Sequence, residues 1–210
     1  MRKLFVVLIP VFLFSCKEQG EKPVASDIPP VKIDDSLKIK VPQVNHYTLP
    51  DRSPMDMVYF PKDYALLKMS GKTESMPLMR VIYSRPQKQN RKIFGDLVKY
   101  NIPWRLGANE ATEIEFFSTA TIQGKKIKPG RYILYCIPAE SKWTFVFNSN
   151  LYSWGLEQNR QKDLMQFDAP VEITNMPIEY FTIACERVND KTTDMIFLWD
   201  EVKTKLTISF

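Results

Sequence analysis

From residue 76 onward the chain is a succession of short apolar runs separated by turn residues. In one of these runs polar and apolar side chains alternate, so that Glu113 and Glu115 fall on one face of a strand and Ile114 and Phe116 on the other. Many short strands, frequent turns and no alternation with long helices predict an all-β fold, an antiparallel β-sandwich or open barrel. The predicted strands cover residues 78–84, 113–122, 131–137, 143–148, 178–188, 193–199 and 203–209.

Helical patterns are few. Residues 159–167 fit two helical turns with Leu164 and Phe167 facing inward, and residues 93–100 are a second candidate. We therefore expect one or two short helices beside the sheets. Trp143 and Trp199 lie at the ends of strongly apolar runs, which assigns both to the core.

The first residues predict export. A cationic start, Met1-Arg2-Lys3, precedes an apolar run over 4–14, which is about half the roughly 20 residues that a spanning helix needs. Residues 1–15 therefore read as a signal peptide. Residues 13–16, Leu-Phe-Ser-Cys, resemble the bacterial lipobox. That resemblance implies acylation of Cys16, attachment to a membrane through this N-terminal lipid, and a location in the bacterial cell envelope, with the outer membrane favoured.

Residues 16–50 are polar and proline-rich, as expected for a tether that holds a single domain, residues 51–210, away from the membrane. Removing Arg2 and Lys3 leaves 27 basic against 24 acidic residues. This small excess, with no basic run interleaved with aromatic residues, argues against nucleic acid as a partner.

The residues exclude several reaction classes. The single histidine, His46, lies in the proline-rich tether, so a Ser-His-Asp or Cys-His arrangement has little support. Clustered zinc ligands and glycine-rich phosphate loops are missing from the sequence. We expect neither a metal nor a cofactor.

Residues 104–112 combine an indole, a guanidinium, an amide, a carboxylate and a hydroxyl within nine positions. An indole stacks on planar ligands, and arginine offers a fork of donors to a carboxylate or phosphate. The alternative is a structural corner, in which Arg105 pairs with Glu110 across Gly107 and Asn109 caps free backbone groups. The candidate ligand-binding residues are Trp104, Arg105, Asn109, Glu110, Tyr83, Arg80 and Trp154.

Carboxylates near this stretch leave a hydrolytic alternative open. Glu110, Glu113 and Glu115 are close in sequence, and glycoside hydrolysis uses two carboxyl groups about 5 to 10 Å apart. Glutamates on the outer face of a strand are, however, commonly solvated. Arg80, in the middle of a predicted strand, needs Glu110 or Glu115 as a partner, or else faces a cleft and holds an anionic ligand.

Cys136 and Cys185 both fall inside predicted strands. In an exported protein they can form a disulfide only with each other once Cys16 is acylated. The alternative is that both are small buried hydrophobic residues.

Several short motifs occur in the order found in the domain of unknown function 2911 family, and the resemblance covers about residues 50–210. It implies an exported, β-rich bacterial domain and supplies no established catalytic residues. With the residues above, it favours a binding or interaction module for a glycan, a peptide or a small anion. An envelope hydrolase near Glu110 and a structural subunit of an envelope complex are the alternatives. The motifs are Tyr83-Ser84-Arg85-Pro86, residues 91–98, residues 104–112, Gly124-Lys125-Lys126, Gly130-Arg131-Tyr132, Ile137-Pro138, Trp143-Thr144 and Trp154-Gly155, with Ser53-Pro54-Met55-Asp56-Met57 before them and Trp199-Asp200 after.

Overall fold

Ten strands and one short α-helix build the part of the chain that the structure, a computed structural model, describes: residues 51–210. The predicted signal peptide, the acylated Cys16 and the tether lie outside the described residues. The elements are β1 (Met55–Phe60), α1 (Tyr64–Met69), β2 (Met79–Ser84), β3 (Thr112–Phe116), β4 (Ala120–Ile122), β5 (Lys125–Ile127), β6 (Gly130–Pro138), β7 (Lys142–Asn148), β8 (Asp163–Pro170), β9 (Glu172–Asn189) and β10 (Thr192–Ser209).

The strands form two antiparallel sheets that do not close into a barrel. One sheet has six strands in the order β1-β2-β3-β6-β7-β8, and the other has four in the order β5-β4-β10-β9. The predicted all-β sandwich is thus confirmed, and it is the sandwich, not the open barrel, that the chain adopts.

The core lies between the two sheets and is strongly aromatic. On β7, Trp143 and Phe145 point inward, and Phe197 and Trp199 do the same on β10. The rings of Phe145 and Phe197 meet across the interface with their centroids 4.4 Å apart. The assignment of Trp143 and Trp199 to the core is confirmed, because both are buried.

Both predicted helices were wrong. Over 159–167 the chain makes only a 3₁₀ turn, Arg160–Lys162, before entering β8. The inward residues there alternate, with Phe167 buried and Leu164 exposed, and this period of two suits the register with β7. Residues 93–100 form turns, since Gly95 adopts φ +91°, which no helix tolerates. The α-helix of the described residues, α1, was not predicted.

Several strand boundaries also differ. The run 113–122 is two strands, β3 and β4, and the runs 193–199 and 203–209 are one strand, β10. The polar residues Asp200 and Glu201 separate the two apolar runs in the sequence. The strand nevertheless continues through them, because a β-bulge at Asp200, with φ +54°, shifts the register with β9. β1, β5 and β8 were not anticipated as strands.

The segment 83–88, which we call the strap, begins with the last two residues of β2 and lies along the free edge of β9. It uses backbone and side-chain groups to bond residues of β9 that have no further strand beside them. The strap therefore joins the end of one sheet to the edge of the other. Its bonds run from the Ile183 N–H to the Tyr83 hydroxyl (3.0 Å), from the Phe181 N–H to the Pro86 carbonyl (3.0 Å) and from the Lys88 N–H to the Glu179 carbonyl (2.7 Å).

Candidate functional site

Trp104 is placed by the six-stranded sheet. β3 pairs with β6 only as far as Leu134, and beyond that point Trp104 takes over the pairing. Its N–H donates to the Cys136 carbonyl at 2.7 Å, and the Cys136 N–H donates back at 2.9 Å. The polar stretch therefore starts from a position that the sheet holds in place.

The loop that follows is closed by its own hydrogen bonds. The Trp104 indole N–H donates to the Gly107 carbonyl at 3.2 Å, and the Thr112 hydroxyl donates to the Leu106 carbonyl at 2.6 Å. Leu106 is buried with φ +55°, a conformation that a branched side chain seldom adopts. Such strain persists only where the surroundings enforce it, so the loop has a single, preorganised shape.

Arg105 does not form the predicted pair with Glu110. One terminal nitrogen of its guanidinium, Nη1, donates to the Asn109 carbonyl at 2.6 Å and to the Trp154 carbonyl at 3.2 Å. Glu110 is exposed, and within residues 51–210 it makes no ion pair with Arg105 or Arg80. The expected pair was wrong because backbone carbonyls, which a sequence pattern does not reveal, take the guanidinium.

Asn109 ties the start of the domain to this loop. Its amide nitrogen donates to the Ser53 carbonyl at 3.1 Å and to the Asp51 carboxylate at 3.3 Å. The residue adopts φ +59°, the left-handed region in which asparagine is common. Asn109 thus satisfies a backbone group, as the structural-corner alternative anticipated.

A cleft of about 310 Å³ opens beside this loop, and we call it the arginine cleft. It contains two arginines, Arg91 and Arg105, and its lining has no acidic residue. Burial lowers the pKa of Arg105, yet a guanidinium stays cationic at neutral pH. The cleft is lined by Ser53, Pro86, Arg91, Leu97, Val98, Pro103, Trp104, Arg105, Gly107, Ala108, Gly155, Leu156 and Trp199.

Trp104 belongs to both the core and the cleft. Its indole stacks on that of Trp199 with centroids 5.7 Å apart, and it meets the edges of Phe181 at 4.9 Å and Trp143 at 5.8 Å. One part of the ring is therefore held by the core, while the remainder lines the cleft.

Glu110 and Trp154 lie in a neighbouring cleft of about 260 Å³, together with Glu113 and Tyr152. Arg131, from the adjacent strand β6, pairs with Glu113 and lies over the Tyr152 ring at 5.4 Å. The seven candidate residues are thus divided. Trp104 and Arg105 line the arginine cleft, Glu110 and Trp154 line the neighbouring cleft, Arg80 and Tyr83 are on β2, and Asn109 lies in the loop outside both clefts.

Arg80 pairs with Glu115 at 2.5 Å across β2 and β3, so one of its two predicted partners was correct. Glu115 and Glu113, like Arg80, lie half-buried on the outer face of the six-stranded sheet. Each of these two glutamates has an arginine neighbour, which leaves Glu110 as the free carboxylate of the three within the described residues.

The described domain contains the part of the chain that a protein-family model matches. A family model of proteins of unknown function, DUF2911, matches residues 67–208, which is more than half of the sequence. The chain belongs to the DUF2911 family. No curated protein and no solved structure matches it.

In this DUF2911 chain Tyr83 is not a wall of either cleft, contrary to the prediction. Its side chain is buried, and its hydroxyl serves the strap. The strand position alone did not show that this hydroxyl reaches a backbone edge on the other sheet.

Tyr83 is expected to make the stability of the fold depend on pH in the alkaline range. Burial raises its pKa from 10.0 to about 12. The neutral phenol therefore stabilises the fold fully below about pH 10, and that stability is lost as the pH rises toward 12. We expect the free energy of unfolding to fall by about 2 to 3 kcal/mol over this interval.

Urea unfolding at a series of alkaline pH values measures this fall. Tyr83→Phe should be less stable at neutral pH, by about 1 to 3 kcal/mol, because the Ile183 N–H loses its partner. The variant should also lose the Tyr83 share of the pH dependence. Parallel losses in both proteins above pH 10 would assign the effect to another group, such as Tyr135, whose pKa burial also raises.

Of the two alternatives for Cys136 and Cys185, the structure has two separate buried cysteines and not the disulfide. Both cysteines are free and buried, on β6 of one sheet and β9 of the other. Burial raises the pKa of each thiol, to about 12 for Cys185. They are small core residues, as the alternative held.

Within residues 51–210 no helix is long and apolar enough to cross a membrane, and no set of histidine, cysteine or acidic side chains is grouped to hold a metal ion. Of the residues that line the arginine cleft, only Trp104 and Arg105 were among the candidates; Arg91, Leu97, Leu156 and Ser53 are among those that were not. They are separated in sequence, and no local pattern links them.

Proposed function

We propose that this DUF2911 chain is a lipid-anchored protein of the bacterial envelope, and that its β-sandwich binds a small anionic ligand in the arginine cleft. The observation that carries the proposal is the state of Arg105. Its charge is half-buried and has no carboxylate partner in the described part of the chain. A charge left without its counterion at a cleft favours binding of an anion from solution.

The geometry of Arg105 supports recognition by a planar fork. Two backbone carbonyls occupy Nη1, while Nη2 and Nε make no hydrogen bond within residues 51–210. Their N–H groups lie in one plane, the arrangement that matches two oxygens of a carboxylate or phosphate. The carbonyl bonds hold the side chain in place before the ligand arrives, which lowers the entropic cost of binding.

Arg91 adds a second positive charge. Its Nε donates to the Lys88 carbonyl at 2.9 Å and its Nη2 to the Gln87 carbonyl. Like Arg105, it is oriented by the backbone and is not neutralised by a carboxylate among the described residues. Two such arginines beside one cleft favour a ligand that carries at least one full negative charge.

The other lining residues of the cleft indicate the chemistry of the rest of the ligand. Pro86, Leu97 and Leu156 are apolar, and Trp104 adds part of an indole. A ligand with an anionic group and an apolar or flat body would contact both kinds of wall. Among the predicted ligand classes, the cleft therefore favours a small anion or an acidic peptide or sugar over a neutral glycan.

The hydrolase alternative has less support. Two carboxylates, Glu110 and Glu113, share the neighbouring cleft, but Glu113 is paired with Arg131. An ion-paired carboxylate is a poor general acid, since the arginine favours its ionised form. The envelope location rests on the residues before Cys16, whose pattern is that of an acylated signal.

Calorimetric titration with inorganic phosphate and with acetate tests the anion site. We expect measurable binding whose affinity falls with added salt. In Arg105→Gln and in Arg91→Gln the affinity should be lower than in the wild type by about tenfold or more. Arg187→Gln is the matched control, because Arg187 is on β9 and pairs with Asp63 and Asp190. Equal binding by all four proteins, or binding by none, would refute the proposal.

A further inference from the structure

Large apolar side chains are exposed on the two segments that border the arginine cleft, residues 91–105 and 149–162. On soluble proteins single exposed apolar residues are common, but a group of them marks an interaction surface. The exposed fractions are 47% for Leu97, 57% for Ile102, 82% for Tyr152, 58% for Trp154 and 71% for Leu156.

The two segments meet at the arginine cleft, which brings Leu97, Trp154 and Leu156 close together. Ile102 lies farther along, next to the Asn101 that bonds Pro138, and Tyr152 lies over Arg131, toward the other end of β6. Leu97 and Leu156 line the same cleft, one from each segment. Arg105 bonds the Trp154 carbonyl, and Gly155 lies so close to Arg105 that an added Cβ would stand 3.0 Å from the arginine Cβ. We call the surface made of residues 91–105 and 149–162 the cleft end, after the arginine cleft where the two segments meet.

The cleft end also carries much of the net charge of the protein. Its two segments hold six basic residues against two acidic ones, whereas the whole chain has 29 against 24. Of the six basic residues, Arg160 pairs with Asp163 at 3.6 Å, and the other five make no ion pair with a carboxylate within residues 51–210. Glu110 and Glu113 lie in the neighbouring cleft, and Glu113 is paired with Arg131. The exposed apolar side chains thus lie among an excess of positive charge.

We propose that the cleft end docks on the surface of an anionic lipid bilayer, with Trp154 and Leu156 entering the headgroup region. The inference rests on the proposed anion site, because the arginine cleft would take the lipid phosphate. Tryptophan and tyrosine favour the membrane–water interface, where the ring is in an apolar region and its polar atom is hydrated. Basic residues add attraction to anionic headgroups.

A bilayer fits these features better than a protein partner. The apolar side chains stand on loops and not on a flat sheet face, and they are interspersed with lysine and arginine. Shallow insertion of a few apolar side chains with a basic border is the pattern of peripheral membrane binding. Amphipathic rims of this kind bind weakly alone, and they serve to orient a protein that is already held near the membrane.

Tryptophan fluorescence provides the test, using the full chain and vesicles of phosphatidylcholine with or without phosphatidylglycerol. The four tryptophans all lie between residues 104 and 199, so the N-terminal segment contributes no emission. Trp154 is the exposed one of the four. The emission lost in Trp154→Phe is therefore the share of Trp154, and brominated lipids quench only indoles that reach the bilayer.

We expect brominated vesicles containing phosphatidylglycerol to quench the Trp154 share and to leave the emission of Trp154→Phe unchanged. Leu156→Asp should reduce the quenching about twofold or more, by removing an inserted side chain. Leu164→Asp is the matched control, since Leu164 is 51% exposed on β8 and lies outside the cleft end. Unquenched Trp154, or equal quenching in Leu156→Asp, would overturn the docking.

The result separates docking from the anion site. Phosphate binding in solution together with an unquenched Trp154 would overturn the docking and leave the proposed function intact. Quenching of Trp154 that persists in Arg105→Gln, with no phosphate binding by the wild type, would refute the anion site. In that case the apolar loops alone would hold the cleft end on the bilayer.

Discussion

Replacing Trp104 with alanine is expected to lower the free energy of unfolding by about 3 to 5 kcal/mol. The indole is surrounded by the rings of Phe181, Trp199 and Trp143, with centroids 4.9 to 5.8 Å away. Removing it leaves a cavity that the surrounding rings cannot fill. Chemical denaturation of the two proteins at neutral pH measures the loss.

Trp154→Ala is the matched control for Trp104→Ala. Both substitutions delete an indole from the candidate set, but Trp154 is exposed and should change stability by no more than about 0.5 kcal/mol. A loss below about 1 kcal/mol in Trp104→Ala would contradict the packing role and would mean that the ring is held chiefly for a ligand.

Gly155→Ala is expected to destabilise the fold by about 2 to 5 kcal/mol. Gly155 has φ +78°, and an added Cβ would stand 2.9 Å from the Ala111 Cβ and 3.0 Å from the Arg105 Cβ. Part of the cost is the left-handed backbone, about 1 to 2 kcal/mol, and part is the overpacking, about 1 to 3 kcal/mol. The displaced Arg105 should also weaken phosphate binding.

Gly124→Ala separates the two contributions. Gly124 has nearly the same backbone angle, φ +77°, but an added Cβ there would meet nothing within 4 Å. We expect it to show the backbone cost alone and to leave phosphate binding unchanged. Equal losses in the two variants, by urea denaturation, would contradict the close packing of the two cleft segments.

The overall architecture was predictable because it follows from local periodicity. Alternation placed Glu113 and Glu115 outside and Ile114 and Phe116 inside, as the structure has them. The same period of two runs through Met165, Phe167 and Ala169, but the spacing of Leu164 and Phe167 also fits one face of a helix, and this favoured the helical interpretation. Short apolar runs are ambiguous in this way, and pairing with a neighbouring strand decides them.

The site was only partly predictable, because its contacts are not local. Residues 104–112 do form a preorganised loop beside a cleft, but Arg105 is held by the Trp154 carbonyl, 49 residues further along the chain. Glu110, the expected partner, is five residues away and faces a different cleft. The opposite charges of Arg105 and Glu110 therefore suggested an ion pair, whereas in the fold Arg105 donates to two backbone carbonyls.

The strap also affects whether two molecules of this protein can associate through the edge of β9. An edge strand of 18 residues, such as β9, is a template onto which another extended chain can add itself. Along the middle of β9 the hydrogen-bonding groups of Ile183, Phe181 and Glu179 are already occupied by residues of the same molecule. A second molecule would have to displace the strap first, so the protein is protected from strand-by-strand aggregation at high local concentration.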